Sequence, residues 1–321
     1  RIVAHVEMFD EKGVKQSGQY VELCMSGNGS LGNSMKSMRL YFKKDANPSV
    51  TNNPGKLKYD IFNGNVKDST GRVIDSFDRI LLRNSGNDCA ETMFRDAFMQ
   101  KVSEPLNVDY MESRPVLVFV NGECWGMYNA RERYDDKYFN AHYGILEENI
   151  AMLEAPSPLV TGTNSHPFEV NEGVEGDQKD WEELVSYAQS HNLANQTYFD
   201  HVASKVDIDN MIDYFIVNMY FGNGDWPGNN VKVWRNKNPK DPSGFDTKWR
   251  FVLLDLDFGC ANNYTSNTVV NALNSDAIII RLFKACLNNE AFKMKFYDRF
   301  IYVMDNYYVE SEMIELIDSM Q

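Results

Sequence analysis

The chain has 321 residues, 43% hydrophobic and 24% charged, which suits one large domain or two lobes sharing a cleft, each with a real core. Its formal charge of −14 argues against nucleic acid as the main partner, because phosphate backbones need a basic surface, and fits a basic protein partner instead. No apolar run approaches the roughly 18 residues that a membrane-spanning helix needs. The longest, VLVFV at 116–120 and FVLLDLDF at 251–258, read as buried strands.

RIVAHVEMFD, QYVELCM and SMRLYFKK run apolar or alternate, and predict three strands in the first 44 residues. SGNGSLGNS (26–34) is a glycine-, serine- and asparagine-rich loop between two of them. FDRILLRN (77–84) predicts another strand. Residues 89–102 carry Met93, Phe94, Ala97, Phe98 and Val102 at helical spacing, with Asp88 as N-cap. Residues 115–130 read as a hairpin turning at Asn121-Gly122, and a short helix follows around Asp135–Tyr143. The polar stretch 157–178 reads as a long loop or insertion. Helical patterns follow at 181–189, 197–206 and 208–221, the last capped by Asp207 or Asp209. Strands are expected at 231–237 and 248–257, and helices again from about Asp276.

The expected fold is therefore α+β and two-lobed, with a strand-rich lobe over residues 1–133 and a helix-rich lobe over 134–321. Cys24, Cys89, Cys124, Cys260 and Cys286 show no metal-knuckle spacing, and an odd number excludes complete pairing; most read as buried small residues. The sequence starts at Arg1, already strand-like and without Met. It reads as a trimmed chain, any signal peptide lying before it.

The chemistry concentrates in GNGDWPGNN (222–230) and LLDLDFG (253–259). Phosphoryl transfer needs a carboxylate to orient or accept the hydroxyl proton, and oxygen ligands to hold a metal on the phosphates. Asp225 and Asn230 stand in the D-x-x-x-x-N spacing of a kinase catalytic loop, with Asn229 as a competitor for the metal role. Asp257-Phe258-Gly259 spells the metal-binding motif that follows in kinases. On a strand, Asp255 and Asp257 would share one face, where two carboxylates repel unless a cation sits between them.

GNGSLGNSMKSMRLYF (27–42), LLRNSGND (81–88), MFRDAF (93–98), VFVNGECWGMYNARER (118–133), GNGDWPGNN and WRFVLLDLDFG occur in an order that resembles the CotH kinase family, atypical kinases known from bacterial spore coats. The resemblance implies a divergent protein-kinase-like fold. It implies ATP and a divalent metal (Mg2+, Mn2+ or Ca2+) as cofactors, and Ser/Thr phosphorylation of proteins, with export or a surface location. It also places upper-lobe parts. Arg39, or Lys36, falls where kinases put the phosphate-pairing lysine, and an acidic residue of the next helix, Glu91 or Asp96, is its expected partner. Asn129 and Glu132 fall at the hinge, as candidates for adenine or ribose contacts.

Other readings of the same residues are a calcium-binding Asp255–Asp257 pair without catalysis, a kinase-shaped adhesion module without turnover, and a secreted glycoside hydrolase. For the last, two Asp side by side offer no partner across a scissile bond.

Overall fold

Alternation at the start of the chain becomes sheet. β1 (Ile2–Phe9) pairs antiparallel with β2 (Lys15–Ser26), Ile2 opposite Leu23, and its side chains alternate between exposed and half-buried as on an edge strand. β3 (Ser37–Phe42) pairs with β2 and is buried except at Arg39, which marks an interior strand. The computed structural model describes residues 1–27, 29–163, 165–260 and 267–321, and the chain divides into two compact units. The fold mixes helices and antiparallel sheet, which fits the expected α+β class.

The first unit comprises Arg1–Ala97 and Met111–Gly144. A short two-stranded ribbon, β4 (Leu57–Lys58) with β5 (Ser76–Phe77), precedes β6 (Arg79–Arg83), which pairs with β3. β7 (Ser113–Val120) and β8 (Glu123–Arg131) complete a six-stranded sheet in the order β1-β2-β3-β6-β8-β7. Their turn has Asn121 and Gly122 at φ 52° and 87°, the left-handed pair that an Asn-Gly hairpin requires. Val21, Leu40, Phe42, Phe62, Phe77 and Ile80 are among the residues that form the core of this unit. α2 (Asp136–Tyr143) starts on Asp135, whose carboxylate accepts from the Lys137 and Tyr138 amides, and stops at Gly144.

The helix expected over 89–102 is shorter. α1 (Arg95–Val102) begins six residues late because Met93 sits at φ 68° and the fully buried Asp88 folds the preceding chain into a turn. Its carboxylate accepts from the Thr92 and Arg95 amides at 3.0 Å each, so Asp88 still supplies an acceptor to the first helical N–H.

The second unit comprises Phe98–Tyr110 and Ile145–Gln321. Its four-stranded antiparallel sheet runs β10 (Glu169–Glu172), β9 (Ile150–Glu154), β11 (Lys232–Asn236), β12 (Arg250–Val252). Three of these strands depart from expectation. β9, with Ile150–Leu153 all buried, has no alternation to betray it. β10 lies inside the supposed insertion 157–178, which also contains a helical turn, α3 (Pro158–Thr161); Asn164 of that stretch and Asn28 of the glycine loop lie outside the described residues. β12 is also shorter than the expected 248–257: Leu253 N–H leaves the ladder to donate to the Asp109 carbonyl at 2.9 Å.

Around this sheet stand α4 (Lys179–Ser190), α5 (Gln196–Lys205), α6 (Ile208–Tyr220), α7 (Thr268–Asn274), α8 (Ile278–Leu287), α9 (Glu290–Asn306) and α10 (Glu310–Met320). α6 is buried from Asn210 to Met219, and Asp207, not Asp209, caps it through the Asn210 amide. A helix buried on every side belongs at the centre of a unit. Its one buried carboxylate partner, Asp213, takes both the Nε and Nη2 of Arg299 at 2.8 Å. Phe215 stacks on Phe283 of α8 with ring centroids 4.0 Å apart. No helix among the described residues is long and apolar enough to cross a membrane.

The cysteines do not follow the expectation of burial. None of the five stands in a disulfide among the described residues; Cys286 alone is buried, Cys24 and Cys89 are half-buried, and Cys124 and Cys260 are exposed. Cys124 lies on the outer side of the β7–β8 hairpin and Cys260 on the turn after Gly259, where no core covers them.

Candidate active site

α6 ends at Tyr220, and the loop Gly222–Asn230 that leaves it is fixed at three levels. The Asn218 side chain, in the last buried turn, donates to the Tyr214 carbonyl at 3.0 Å and accepts from Asn223 Nδ2 at 3.0 Å. Asn223 Oδ1 in turn accepts the Asp225 amide at 3.3 Å. The Trp226 indole N–H donates to the Tyr214 hydroxyl at 3.1 Å. Burial pushes the Tyr214 phenol well above its ordinary range, with the indole hydrogen bond offsetting only part, so it stays neutral. The Trp226–Pro227 peptide is cis.

Asp225 is half-buried, and its Oδ2 accepts from Asn229 Nδ2 at 2.8 Å and Asn230 Nδ2 at 2.9 Å. Both amides therefore hold the same oxygen, and spacing alone does not separate Asn229 from Asn230. Donating through nitrogen leaves each amide oxygen on the opposite side, the atom a hard cation would use.

Two backbone hydrogen bonds join this loop to the acidic one. Cys260 N–H donates to the Phe221 carbonyl at 2.7 Å, and Gly224 N–H to the Phe258 carbonyl at 3.4 Å. The structure thus brings Asp225 and Asn230 onto one loop, bound to the turn that carries Asp257. It corrects the basis for pairing Asp255 with Asp257. Both lie beyond β12, and Asp255 adopts φ 53°, so strand alternation does not set their directions. Asp257 is 1% exposed and Asp255 half-buried. A Cβ at Gly259 would fall 2.6 Å from Met99 Sδ and 3.0 Å from the Leu256 carbonyl, so the tight turn needs glycine.

Asn230, Asp255 and Cys260 are three of the described non-glycine residues at positive φ. Such backbone costs of order 1–3 kcal/mol for each residue and persists where the surroundings over-determine it, typically at functional sites. A cavity of 620 Å³ opens against the Asp225 loop, lined by Gly222 to Asn229, by Ser157 and Pro158, and by Thr268, Asn271, Ala272, Asn274 and Ser275 of α7 and its end. Among the described residues no group of three His, Cys, Asp or Glu side chains is arranged to hold a metal. The predicted ligands, the Asn230 amide and the Asp255 and Asp257 carboxylates, offer oxygen donors only, the chemistry that Mg2+ takes.

The remaining predicted residues belong to the first unit, and each has partners there. Lys36 Nζ donates to the Leu31 and Asn33 carbonyls. Arg39 Nε donates to Ser26 Oγ at 2.8 Å. The expected acidic partners are engaged by other residues, Asp96 by Arg131 and Glu91 by Arg95. Asn129 donates to the Met93 carbonyl at 2.8 Å and to Ser85 Oγ at 3.0 Å. Glu132 accepts from the Glu112 amide at 3.2 Å and meets His142 Nε2 at 2.8 Å. Sequence reasoning missed Asn218, Asn223 and Trp226. The signal for the two asparagines was Asn218 in the apolar last turns of a helix and Asn223 at the start of the loop.

A mixed helix-and-sheet fold with a carboxylate loop bound to an acidic turn fits a kinase-like phosphotransferase. A family model described as CotH kinase protein matches residues 25–321, and the chain belongs to the CotH kinase family. No curated protein matches it. Family membership suggests kinase-like phosphotransfer.

Proposed function

We propose that this protein is a two-lobed atypical kinase that transfers phosphate from ATP to Ser or Thr hydroxyls of a protein, with a divalent metal. The observation that carries this reading is the Asp225 carboxylate, held through one oxygen by two amides on the wall of a cavity, in a loop hydrogen-bonded to the Asp257 turn. In this reading Asp225 orients the acceptor hydroxyl and accepts its proton, the role a positioned carboxylate plays in phosphoryl transfer. Asn230, Asp255 and Asp257 would hold the metal, which supplies neutralisation of the charge that develops on the phosphates. Asn223 keeps the Asp225 backbone in register with α6. Arg39 is the residue proposed to meet phosphate oxygens, with Lys36, Glu91, Asn129 and Glu132 proposed as further nucleotide-binding residues. An exported or surface location belongs to the same proposal.

Thermal shift tests the cofactor half. ATP with Mg2+ or Mn2+ stabilises the parent, and more than either alone, because ligands that bind only the folded state raise its melting point. Asp257→Ala and Asp255→Ala remove the metal-dependent part. Equal stabilisation of both variants and the parent contradicts the metal assignment. Stabilisation by sugars instead of ATP would favour the hydrolase.

A further inference from the structure

Part of the stretch 157–178 has no place in the phosphotransfer reading. Ser165, Pro167 and Phe168, together with α4 and the first turn of α8, line a second cavity, all of it within the second unit. It shares no lining residue with the cavity at Asp225. At 450 Å³ it falls within the roughly 300–1,000 Å³ of small-molecule pockets.

Its wall is apolar where it is deepest. Phe168, Trp181 and Val185 are buried, and the Trp181 ring packs edge-on against Trp249 and Phe251 at centroid distances of 5.6 and 6.0 Å, which holds it in place. Two residues of the same wall also carry buried N–H groups, Trp181 Nε1 and Arg281 Nε, that have no hydrogen-bond partner among the described residues. Trp181 is 1% exposed. Buried donors are nearly always paired, so two orphans on one cavity wall call for an acceptor that the chain itself does not supply.

The charges on the wall select the class of ligand. Arg281 is half-buried and donates from Nη1 to Gln189 Oε1 at 3.4 Å, and no carboxylate among the described residues pairs with it. Glu182, the other charged residue on this wall, is exposed, so water screens it more than it screens the guanidinium. A polyanion gains little from one cation opposed by one carboxylate. A single carboxylate on an apolar body gains twice, from charge-assisted hydrogen bonds to Arg281 and from hydrocarbon buried on the aromatic wall.

We propose that this cavity binds a small apolar monocarboxylate, its carboxylate accepting from Arg281 and Trp181 and its body lying against Phe168 and Val185. The proposal stands apart from the Asp225 reading, and its test needs no phosphotransfer.

Phenylacetate, phenylalanine and benzyl alcohol serve as probes, titrated against the whole chain by calorimetry and thermal shift. Phenylacetate or phenylalanine raises the melting point, and the better of the two binds about tenfold more tightly than benzyl alcohol, the worth of one charge-assisted hydrogen bond. Arg281→Met keeps an apolar stem and removes the guanidinium; it lowers carboxylate affinity by about tenfold and leaves benzyl alcohol unchanged. Trp181→Phe keeps a ring and removes the N–H, for a loss of about fivefold. Ser186→Trp enters the space from the exposed side of α4, away from the buried donors, and abolishes binding with the melting point of the free protein unchanged. A melting point that neither carboxylate moves at millimolar concentration means a cavity filled by water alone and overturns the proposal. Equal affinity for the carboxylates and benzyl alcohol overturns it too, as does an Arg281→Met or Ser186→Trp variant that binds the carboxylate like the parent.

Discussion

The β8 end of the first unit and the Asp225 loop of the second are both dense in polar side chains, yet they spend them differently. At the end of β8, Asn129, Arg131 and the following Glu132 are buried and hydrogen-bonded to fixed backbone or to opposite charges within their unit. In the loop, Asn223 is used in the same way, but Asp225 and Asn229 remain half-buried on a cavity wall. Buried polar groups must be paired whether or not they do chemistry, so pairing alone is a sign of framework. A paired carboxylate that also lines a cavity is the better candidate for function.

If that distinction holds, framework substitutions cost stability and loop substitutions cost activity. The largest stability losses come from two ion pairs that each hold a buried charge. Asp96→Ala leaves Arg131, 1% exposed, without its carboxylate in the first unit, and Arg299→Ala leaves Asp213, also 1% exposed, without its guanidinium in the second. Each should lower unfolding free energy by about 3–5 kcal/mol, measured by chemical denaturation, because a buried charge loses its partner. Wild-type stability in either variant would mean that the pair is not framework.

Asp88→Ala comes next. It removes the acceptor for the Thr92 and Arg95 amides and should cost about 1–3 kcal/mol, with amide exchange accelerating at Arg95 first. A smaller effect comes from Asp241. Burial works to raise its pKa, but hydrogen bonds from Ser243, Asn149 and the Leu146 amide outweigh this and hold it at about 2 against an ordinary 3.8. A lowered folded pKa means the contribution is whole above 3.8 and is lost as pH falls towards about 2. Asp241→Asn should therefore flatten the melting curve against pH in that window, and an unchanged slope would remove Asp241 from the framework. The smallest effect separates the cysteines. Burial pushes the Cys286 thiol up to about 12, so Cys124 and Cys260 alkylate first in the native state while Cys286 reacts only on unfolding.

The sequence made the outer sheet legible because its strands alternate, and the hairpin because Asn121-Gly122 can adopt two left-handed residues at little cost. β9 was illegible for the converse reason: a strand buried on both faces shows no period. Spacing singled out Asp225 and Asn230 as candidates, and their loop is tied to the acidic turn at Phe258 and Cys260. Spacing could not show that Asp255 leaves the strand. One left-handed residue cancels the alternation on which the paired-carboxylate argument stood. The roles proposed for Arg39 and Asn129 came from position relative to a resemblance. Their partners, Ser26 and Met93, are 13 and 36 residues away and carry no local signal.

The claim at the centre of this account is that Asp225 acts on the acceptor hydroxyl and not on the fold or the nucleotide. Asp225→Asn keeps the side-chain size and removes the proton acceptor. Labelled-phosphate transfer, measured on the protein itself and on a Ser peptide, should fall by about 10²–10⁴-fold, the usual worth of a positioned acid–base group. ATP–metal affinity and melting temperature should stay near those of the parent. Transfer at the parent rate would make Asp225 a turn residue and contradict the account.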